Sequence, residues 1–121
     1  MITVTKRFQF EAAHSLKGYL GDCSRPHGHS YKLEVTVANI ILDDDMVIDF
    51  KELTYIVKEY IIKQWDHQDL NTLEVFKEDR PTAENMVTAI CQVLNKYLPD
   101  TIEVERIRLW ETEDSYAEYI K

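Results

Sequence analysis

The stretch HSYKLEVTVANI, residues 29–40, decides the fold because apolar and polar side chains alternate along most of it. Four apolar residues share one parity: Tyr31, Leu33, Val35 and Val37. Lys32 and Glu34 take the other parity, and successive side chains of a strand point to opposite faces. The pattern therefore predicts a strand with one buried face and one polar face. His29 shares the parity of the buried face.

The sequence on either side of this strand contains further strand patterns. Residues 2–13 alternate in the same way and predict a first strand, and a loop over residues 15–28 with all three glycines separates it from the second. Residues 101–111 predict a third strand, whose apolar parity changes near Glu105 and so indicates a β-bulge. Residues 116–120 predict a short last strand.

Two amphipathic helix patterns lie between the strand pairs. Asp49, with Glu52 three residues later, is typical of a helix start, and Thr82 is a good N-cap for the second helix. Pro99 ends the second helix. The apolar stripes are Leu53, Ile56, Val57, Tyr60 and Ile61 in the first helix, and Met86, Val87, Ile90, Val93, Leu94 and Tyr97 in the second.

The element order is strand, strand, helix, helix, strand, strand, and it predicts one domain over residues 1–121. We expect the α+β class, with a four-stranded antiparallel sheet that carries both helices on one face. Such a small sheet has two open edges, which favours the association of copies of the chain.

Composition and charge narrow the function classes. The net charge of -8 disfavours binding to nucleic acid or to an anionic membrane. No apolar run approaches the length of a membrane span, and the N-terminal MITVTKRFQF lacks the apolar core of a signal peptide. The two cysteines, Cys23 and Cys91, lie in unlike contexts, which disfavours a disulfide. We therefore expect a cytoplasmic protein.

The histidines of the chain suggest a metal site. His27 and His29 are two positions apart, so on a strand their side chains point the same way. His14 ends the strand that is expected to pair with theirs. Three imidazoles can therefore meet at one end of the hairpin, and three with an open fourth position form the arrangement of a catalytic zinc site. The spacing alone equally allows scattered surface histidines.

Three other places in the sequence carry reactive side chains. Cys23 lies beside Arg25 in the glycine-containing loop, where it could be a fourth zinc ligand, a catalytic thiol or an inert thiol. Asp66 and His67 are adjacent, so the carboxylate could orient the imidazole, although a histidine after a helix can also be purely structural. Glu111, near the end of the third strand, is on its own an ordinary surface acid.

Six short motifs occur in one order along the chain. They are Phe8-x-Phe10-x-Ala12-Ala13-His14, Cys23-x-x-x-His27-Gly28-His29-Ser30-Tyr31, Val47-Ile48-Asp49-Phe50, Asp66-His67-x-x-Leu70-Asn71, Pro81-Thr82-Ala83-Glu84-Asn85 and Glu111-Thr112. Together they make the chain resemble the 6-pyruvoyl-tetrahydropterin synthase family over nearly its whole length. The spacing from Cys23 to His27 resembles the branch that makes 6-carboxy-5,6,7,8-tetrahydropterin. Asp45 departs from the glycine that the family commonly has there.

The resemblance implies the tunnelling fold, or T-fold, in which three four-stranded sheets close into a trimeric barrel. Two trimers usually stack into a homohexamer in this family, and the active sites lie between subunits. The open sheet edges expected from the element order are compatible with that assembly.

The resemblance also implies roles for seven residues. The implied zinc ligands are His14, His27 and His29, and the implied catalytic residues are Cys23, Asp66 and His67. Glu111 matches the residue that binds the pterin ring of the substrate. A carboxylate suits that role because it can accept two hydrogen bonds from the ring's N–H groups.

The implied reaction converts 7,8-dihydroneopterin triphosphate to 6-carboxy-5,6,7,8-tetrahydropterin, acetaldehyde and triphosphate, a lyase step of 7-deazaguanine (queuosine) biosynthesis. Zn²⁺ is the implied cofactor, and the partners are this small pterin substrate and further copies of the chain. Two alternatives stay open. One is the 6-pyruvoyl-tetrahydropterin reaction, which releases triphosphate and keeps every side-chain carbon. The other is a non-catalytic zinc-stabilised domain with Cys23 as the fourth ligand.

Overall fold

A computed structural model describes residues 1–42 and 44–121, and its centre is a twisted sheet. The long strands are β1 (Thr3–His14), β2 (His27–Asn39), β4 (Ile102–Thr112) and β5 (Ser115–Ile120). They are antiparallel neighbours in the order β1-β2-β4-β5, so β2 is an inner strand. The predicted α+β class and the four long strands are confirmed.

The prediction of a purely antiparallel four-stranded sheet was wrong. A two-residue strand, β3 (Gln68–Asp69), adds to the outer edge of β1 in the parallel direction and makes the sheet five-stranded and mixed. The Glu11 backbone causes this, because its N–H donates to the Asp66 carboxylate and its carbonyl accepts from the His67 N–H. These contacts place the next two residues, Gln68 and Asp69, beside β1. Contacts with a backbone require no apolar side chains, so the sequence of β3 shows no strand pattern.

The register of β2 with its neighbours fixes the core. Phe8 lies opposite Leu33, Phe10 lies opposite Tyr31, and the pairing of β1 with β2 runs without a shift to the end of β1. Between β2 and β4 the register shifts, so that Thr36 and Val37 pair with Arg106 and Val104. The predicted bulge at Glu105 is therefore confirmed, and it keeps apolar side chains on one face on both sides of the irregularity.

Two helical segments cover that apolar face. The first is α-helical over α1 (Phe50–Val57), π-helical over Lys58–Ile62 and α-helical again over α2 (Lys63–Trp65). The second is α3 (Ala83–Tyr97). Most of the predicted stripe residues belong to one buried core together with the sheet: Leu53, Ile56, Val57, Ile61, Met86, Val87, Ile90 and Leu94.

Both predicted helix caps are present. The Asp49 carboxylate accepts from the Lys51 N–H at 2.8 Å, and the Thr82 hydroxyl oxygen accepts from the Asn85 N–H at 3.1 Å. These bonds satisfy backbone donors that the first turn leaves without partners. The N-cap of α3 is therefore the residue directly after Pro81, and the Pro81 carbonyl takes part in the site described below.

The turn before α1 contains the acidic run predicted to be solvated. Asp43 lies outside the described residues. Asp44 and Asp45 are both in the left-handed region, with φ of 53° and 61°. Aspartate tolerates this region better than most residues, and glycine tolerates it best, so the glycine common in the resembled family suits this backbone.

Within residues 1–42 and 44–121, no helix has both the length and the apolar character needed to cross a bilayer.

Replacing Thr82 by alanine should lower the free energy of unfolding by about 1 kcal/mol, because the N-cap bond to Asn85 is lost. Urea unfolding of the chelator-treated protein, followed by circular dichroism, measures the change. Thr88→Ala is the matched control, since Thr88 is exposed within α3 and its hydroxyl contacts only the Glu84 carbonyl of the same helix. Equal effects of the two substitutions would contradict the capping role.

Candidate metal centre and active site

Three histidines meet where β1 and β2 end. The register places His14 opposite His27 and Ala12 opposite His29, and all three imidazoles lie on the helix-facing side of the sheet. Their nearest ring nitrogens lie within 4.8 Å of one another, and Nε2 of His14 is 2.9 Å from Nε2 of His27. The structure thus brings together the three residues predicted as metal ligands, in a position where a metal ion could bind.

Backbone carbonyls orient two of these rings. Nδ1 of His14 lies 2.7 Å from the Pro81 carbonyl oxygen, and Nδ1 of His27 lies 2.8 Å from the Arg25 carbonyl oxygen. A carbonyl oxygen only accepts, so each Nδ1 carries a proton and each neutral ring presents the lone pair of Nε2. Ring orientation by a second hydrogen bond of this kind is the usual support of a metal-bound histidine.

The donor set fits a divalent metal ion. Two Nε2 lone pairs that face each other at 2.9 Å repel unless a cation lies between them. In a tetrahedral zinc site, with bonds of about 2.0–2.1 Å, ligand nitrogens are about 3.3 Å apart. The observed separation is close to that value. A proton shared between rings would need only two nitrogens, whereas three nitrogens converge here. Three nitrogens suit a metal ion better.

Burial favours the neutral, metal-binding form of the third ring. It lowers the pKa of His29; the Glu111 carboxylate opposes this shift, while the nearby His14 and His27 rings add to it. Metal ions bind the neutral imidazole, so the environment of His29 suits a ligand. Tyr31 lies beneath the cluster with its hydroxyl 3.4 Å from Nδ1 of His14, and burial raises its pKa, which keeps the hydroxyl protonated.

Glu111 lies at the rim of the histidine cluster. The β4–β5 register shifts between Trp110 and Thr112, so Glu111 sits at an irregularity of the kind that re-aims side chains near active sites. Its Oε1 is 3.4 Å from Nε2 of both His14 and His29. It also lines a cavity of about 560 Å³, walled by the start of α3 and by β5. One carboxylate therefore faces both the cluster and the cavity.

Asp66 and His67 form a pair on the outer edge of β1. Oδ2 of Asp66 is 2.9 Å from Nδ1 of His67, and Oδ1 accepts from the Glu11 N–H at 2.9 Å. These two contacts, the backbone one first, lower the pKa of Asp66, so the carboxylate stays ionised. His67 has a φ of 59°, a strained conformation for a residue other than glycine. Its side chain is 77% exposed, and Nδ1 rather than Nε2 makes the contact with Asp66.

Cys23 occupies a short 3₁₀ turn, Asp22–Ser24, and is exposed. In the part of the chain that the structure describes, the metal-binding group consists of the three histidines, and Cys23 is not among them. The arrangement does not supply the fourth ligand that the zinc-stabilised alternative requires. The structure of one chain also leaves Cys23 and His67 on separate segments, the loop before β2 and the turn before β3.

Sequence reasoning missed the groups that orient the ligands. The Pro81 and Arg25 carbonyls and the Tyr31 hydroxyl support the cluster, yet only Tyr31 has a side chain that could have suggested it. A backbone carbonyl has no residue-type signature. The one available signal was the N-cap at Thr82, which fixes the orientation of the peptide just before it.

Comparison with known proteins gives a consistent result. The profile of the 6-pyruvoyl tetrahydropterin synthase family matches residues 3–121. The 6-carboxy-5,6,7,8-tetrahydropterin synthase of Haemophilus influenzae is 33% identical over 98% of this chain and 99% of its own length. The dihydroneopterin monophosphate aldolase of Pyrococcus furiosus is 35% identical over 87% of this chain and 85% of its own.

Solved structures show the same fold. The Caenorhabditis elegans 6-pyruvoyl tetrahydropterin synthase superposes with a TM-score of 0.86, covering 99% of this chain and 95% of that one at 23% identity. By the family profile and by its full-length relatives, this chain belongs to the 6-pyruvoyl tetrahydropterin synthase family.

Proposed function

We propose that the chain is a zinc-dependent 6-carboxy-5,6,7,8-tetrahydropterin synthase. It would convert 7,8-dihydroneopterin triphosphate and water to 6-carboxy-5,6,7,8-tetrahydropterin, acetaldehyde and triphosphate, as a step of 7-deazaguanine (queuosine) biosynthesis. The observation that carries the proposal is the convergence of His14, His27 and His29 with Glu111 at its rim. The name of the Haemophilus influenzae relative supports the choice of product.

The metal would be held by the three converging Nε2 atoms, with the Pro81 and Arg25 carbonyls fixing two of the rings. Zinc supplies Lewis-acid chemistry at the hydroxyl oxygens of the substrate side chain when it is bound. Oε1 of Glu111 lies 3.4 Å from Nε2 of His14 and of His29, so the substrate side chain would approach these nitrogens from the cavity that Glu111 lines.

The pterin ring would occupy the cavity beside Glu111. The two oxygens of the Glu111 side chain can accept from an amino and an imino N–H of the ring together, an interaction that is both strong and directional. The cavity also has an aromatic wall at Tyr116 and Tyr119 and an acidic one at Glu84. A flat, N–H-rich heterocycle matches these walls better than a sugar or a fatty acid does.

Cys23 and His67 would transfer protons on either side of the substrate side chain. A thiolate at Cys23 removes a carbon-bound proton, and His67 exchanges a proton through Nε2 while its Nδ1–H donates to Asp66. The ionised Asp66 stabilises the imidazolium form that this exchange produces.

A complete site would need more than one copy of the chain. His67 and Cys23 are both exposed on separate segments, which suits residues that meet across an interface. Within the described residues, β5 pairs on one side only, and β3 covers only the last part of the outer edge of β1. These free edges support a trimeric T-fold barrel and its stacking into a hexamer.

The triphosphate needs cations close to the reacting groups. Five candidates are present in the sequence: Lys17, Lys32, Arg25, Arg106 and Arg108. Arg106 and Arg108 both pair with Glu118 on the polar face of the sheet, at 3.6 and 2.9 Å. Lys17 and Arg25 lie in the loop that carries Cys23, so they are the better choice.

A second candidate comes from the Pyrococcus furiosus relative, whose name specifies a monophosphate and an aldolase reaction. That relative is as similar to this chain as the carboxy-tetrahydropterin synthase is. The two possibilities differ in the number of phosphates on the substrate, and the metal cluster is compatible with both.

The first prediction concerns the metal. His14→Ala, His27→Ala and His29→Ala should each reduce the zinc content after dialysis from about one ion per chain to near zero, because two imidazoles hold zinc far less tightly than three. Elemental analysis measures the zinc content of each variant. His67→Ala is the matched histidine control and should retain zinc, as should Cys23→Ala. Loss of zinc from Cys23→Ala would favour the four-ligand structural site.

The second prediction concerns the reaction. Incubation with 7,8-dihydroneopterin triphosphate should yield 6-carboxy-5,6,7,8-tetrahydropterin and acetaldehyde in equal amounts, read by chromatography and an aldehyde assay. Cys23→Ala should slow turnover by about 100- to 10,000-fold while the chain keeps its fold. Turnover should survive Cys91→Ala, which removes the buried cysteine. A pterin product without acetaldehyde would identify the pyruvoyl reaction, and turnover of the monophosphate alone would identify the aldolase.

The third prediction concerns the pterin pocket. Glu111→Gln should raise KM by about 10- to 100-fold, because a neutral amide cannot accept two charge-assisted hydrogen bonds from the ring. Glu113→Gln, two residues along and exposed, is the control and should leave KM unchanged. Zinc content is measured in parallel, since Glu111 adjoins two ligands. An unchanged KM would exclude Glu111 from substrate binding.

A further inference from the structure

The loop that carries Cys23 is not held by packing. Residues 15–26 all belong to the described part of the chain, and none of them is buried. Leu20 is 92% exposed at the tip. A loop without buried side chains keeps one conformation only if hydrogen bonds fix it.

The side chain of Asn71 makes two of these bonds. The Asn71 carbonyl oxygen accepts from the Ser15 N–H at 2.8 Å, and the Asn71 amide donates to the Ser15 carbonyl at 2.9 Å. Ser15 follows His14, where β1 ends, and β3 pairs with β1 only up to Ala13. The side chain of Asn71 thus takes the place of a strand partner two positions beyond Ala13, the last β1 residue that pairs with β3.

Asn71 is itself held in a rigid position. It lies in the 3₁₀ turn Leu70–Thr72, where Leu70 is fully buried and the Asp69 carboxylate accepts from the Asn71 N–H at 3.1 Å. Because the turn directly follows β3, its position depends on the same backbone contacts that orient Asp66 and His67. Asn71 therefore links the segment of the histidine–aspartate pair to the start of the loop.

One more hydrogen bond extends the link to the backbone of Cys23. The Leu16 N–H donates to the Cys23 carbonyl at 2.8 Å, so a fixed Ser15 fixes the backbone of Cys23 through the residue between them. Arg80 adds a second tie by donating to the Lys17 carbonyl at 3.2 Å. Only an amide can serve at residue 71 in this way, since it offers an acceptor and a donor in one plane.

We propose that Asn71 is a positioning residue, whose side chain pairs with the Ser15 backbone and holds the loop of Cys23 in register with the turn of Asp66 and His67. Its catalytic consequence rests on the proposed function, because it assumes that Cys23 acts on the substrate. The structural part of the proposal, that Asn71 fixes the conformation of the loop, does not depend on the proposed function.

The test compares Asn71→Ala, which loses both bonds, with Asn71→Asp, which keeps the acceptor and loses the donor. Hydrogen exchange of the zinc-loaded oligomer, read by NMR or mass spectrometry, should show the Leu16 amide exchanging about tenfold faster in Asn71→Ala. Exchange should also be faster in Asn71→Asp, because a carboxylate oxygen there would face the Ser15 carbonyl oxygen without a proton between them. The Met86 amide in α3 reports global stability and should not change. Asn95→Asp, in α3 and remote from the loop, is the matched control.

Kinetics give the second readout. We expect kcat to fall about tenfold in Asn71→Ala with KM changed by less than about twofold and zinc content retained, since the loop holds the thiol rather than the pterin ring or the metal. Unchanged Leu16 exchange, or faster exchange at Leu16 and Met86 alike, would overturn the positioning role. So would faster Leu16 exchange with unchanged kcat in an active enzyme. If the unsubstituted protein fails to turn over the pterin, the proposed function fails, and the exchange result still decides whether Asn71 holds the loop.

Discussion

The pairing of β1 with β2 is the constraint on which the rest of the structure depends. In the observed register the apolar rows Phe8–Leu33 and Phe10–Tyr31 are followed by the imidazoles of His14, His27 and His29 on the same face. A shift by one residue would turn every side chain to the opposite face, so it would expose the core and disperse the histidines together. The register that packs the apolar core therefore also brings the three histidines together.

The position of the cluster favours a bound cation. His14 is 1% exposed and is surrounded by protein, so the lone pair of its Nε2 has little water to interact with. The Pro81 carbonyl has already engaged Nδ1. With both protons on Nδ1, the lone pair of Nε2 of His14 faces a second lone pair at 2.9 Å, which is costly in a buried place. A metal ion bound here would satisfy the converging acceptors at once and would link the stability of this end of the sheet to metal binding.

The sequence predicted those features that repeat along an element. Alternation identified the four long strands, the parity change located the bulge at Glu105, and the motif residues Asp49 and Thr82 proved to be caps. It did not reveal β3, because two exposed residues held by the Glu11 backbone carry no apolar signal. The same limit applies to the site. Histidine spacing indicated the cluster, whereas the carbonyls that orient its rings come from peptide groups, which are identical in every residue.

The site combines two levels of rigidity. The histidines stand on the paired ends of β1 and β2, and Glu111 lies in β4 at the irregularity of its pairing with β5. Cys23, Asp66 and His67 stand on a loop and a turn whose positions depend on a few hydrogen bonds to β1 and to Asn71. Metal ligation tolerates little displacement, since bond lengths must hold within about 0.2 Å. Under the proposed function, Cys23 and His67 would transfer protons, and a few hydrogen bonds rather than buried packing would hold them in place. The fold thus places the proposed metal ligands on the sheet and the proposed proton-transfer groups on its connections.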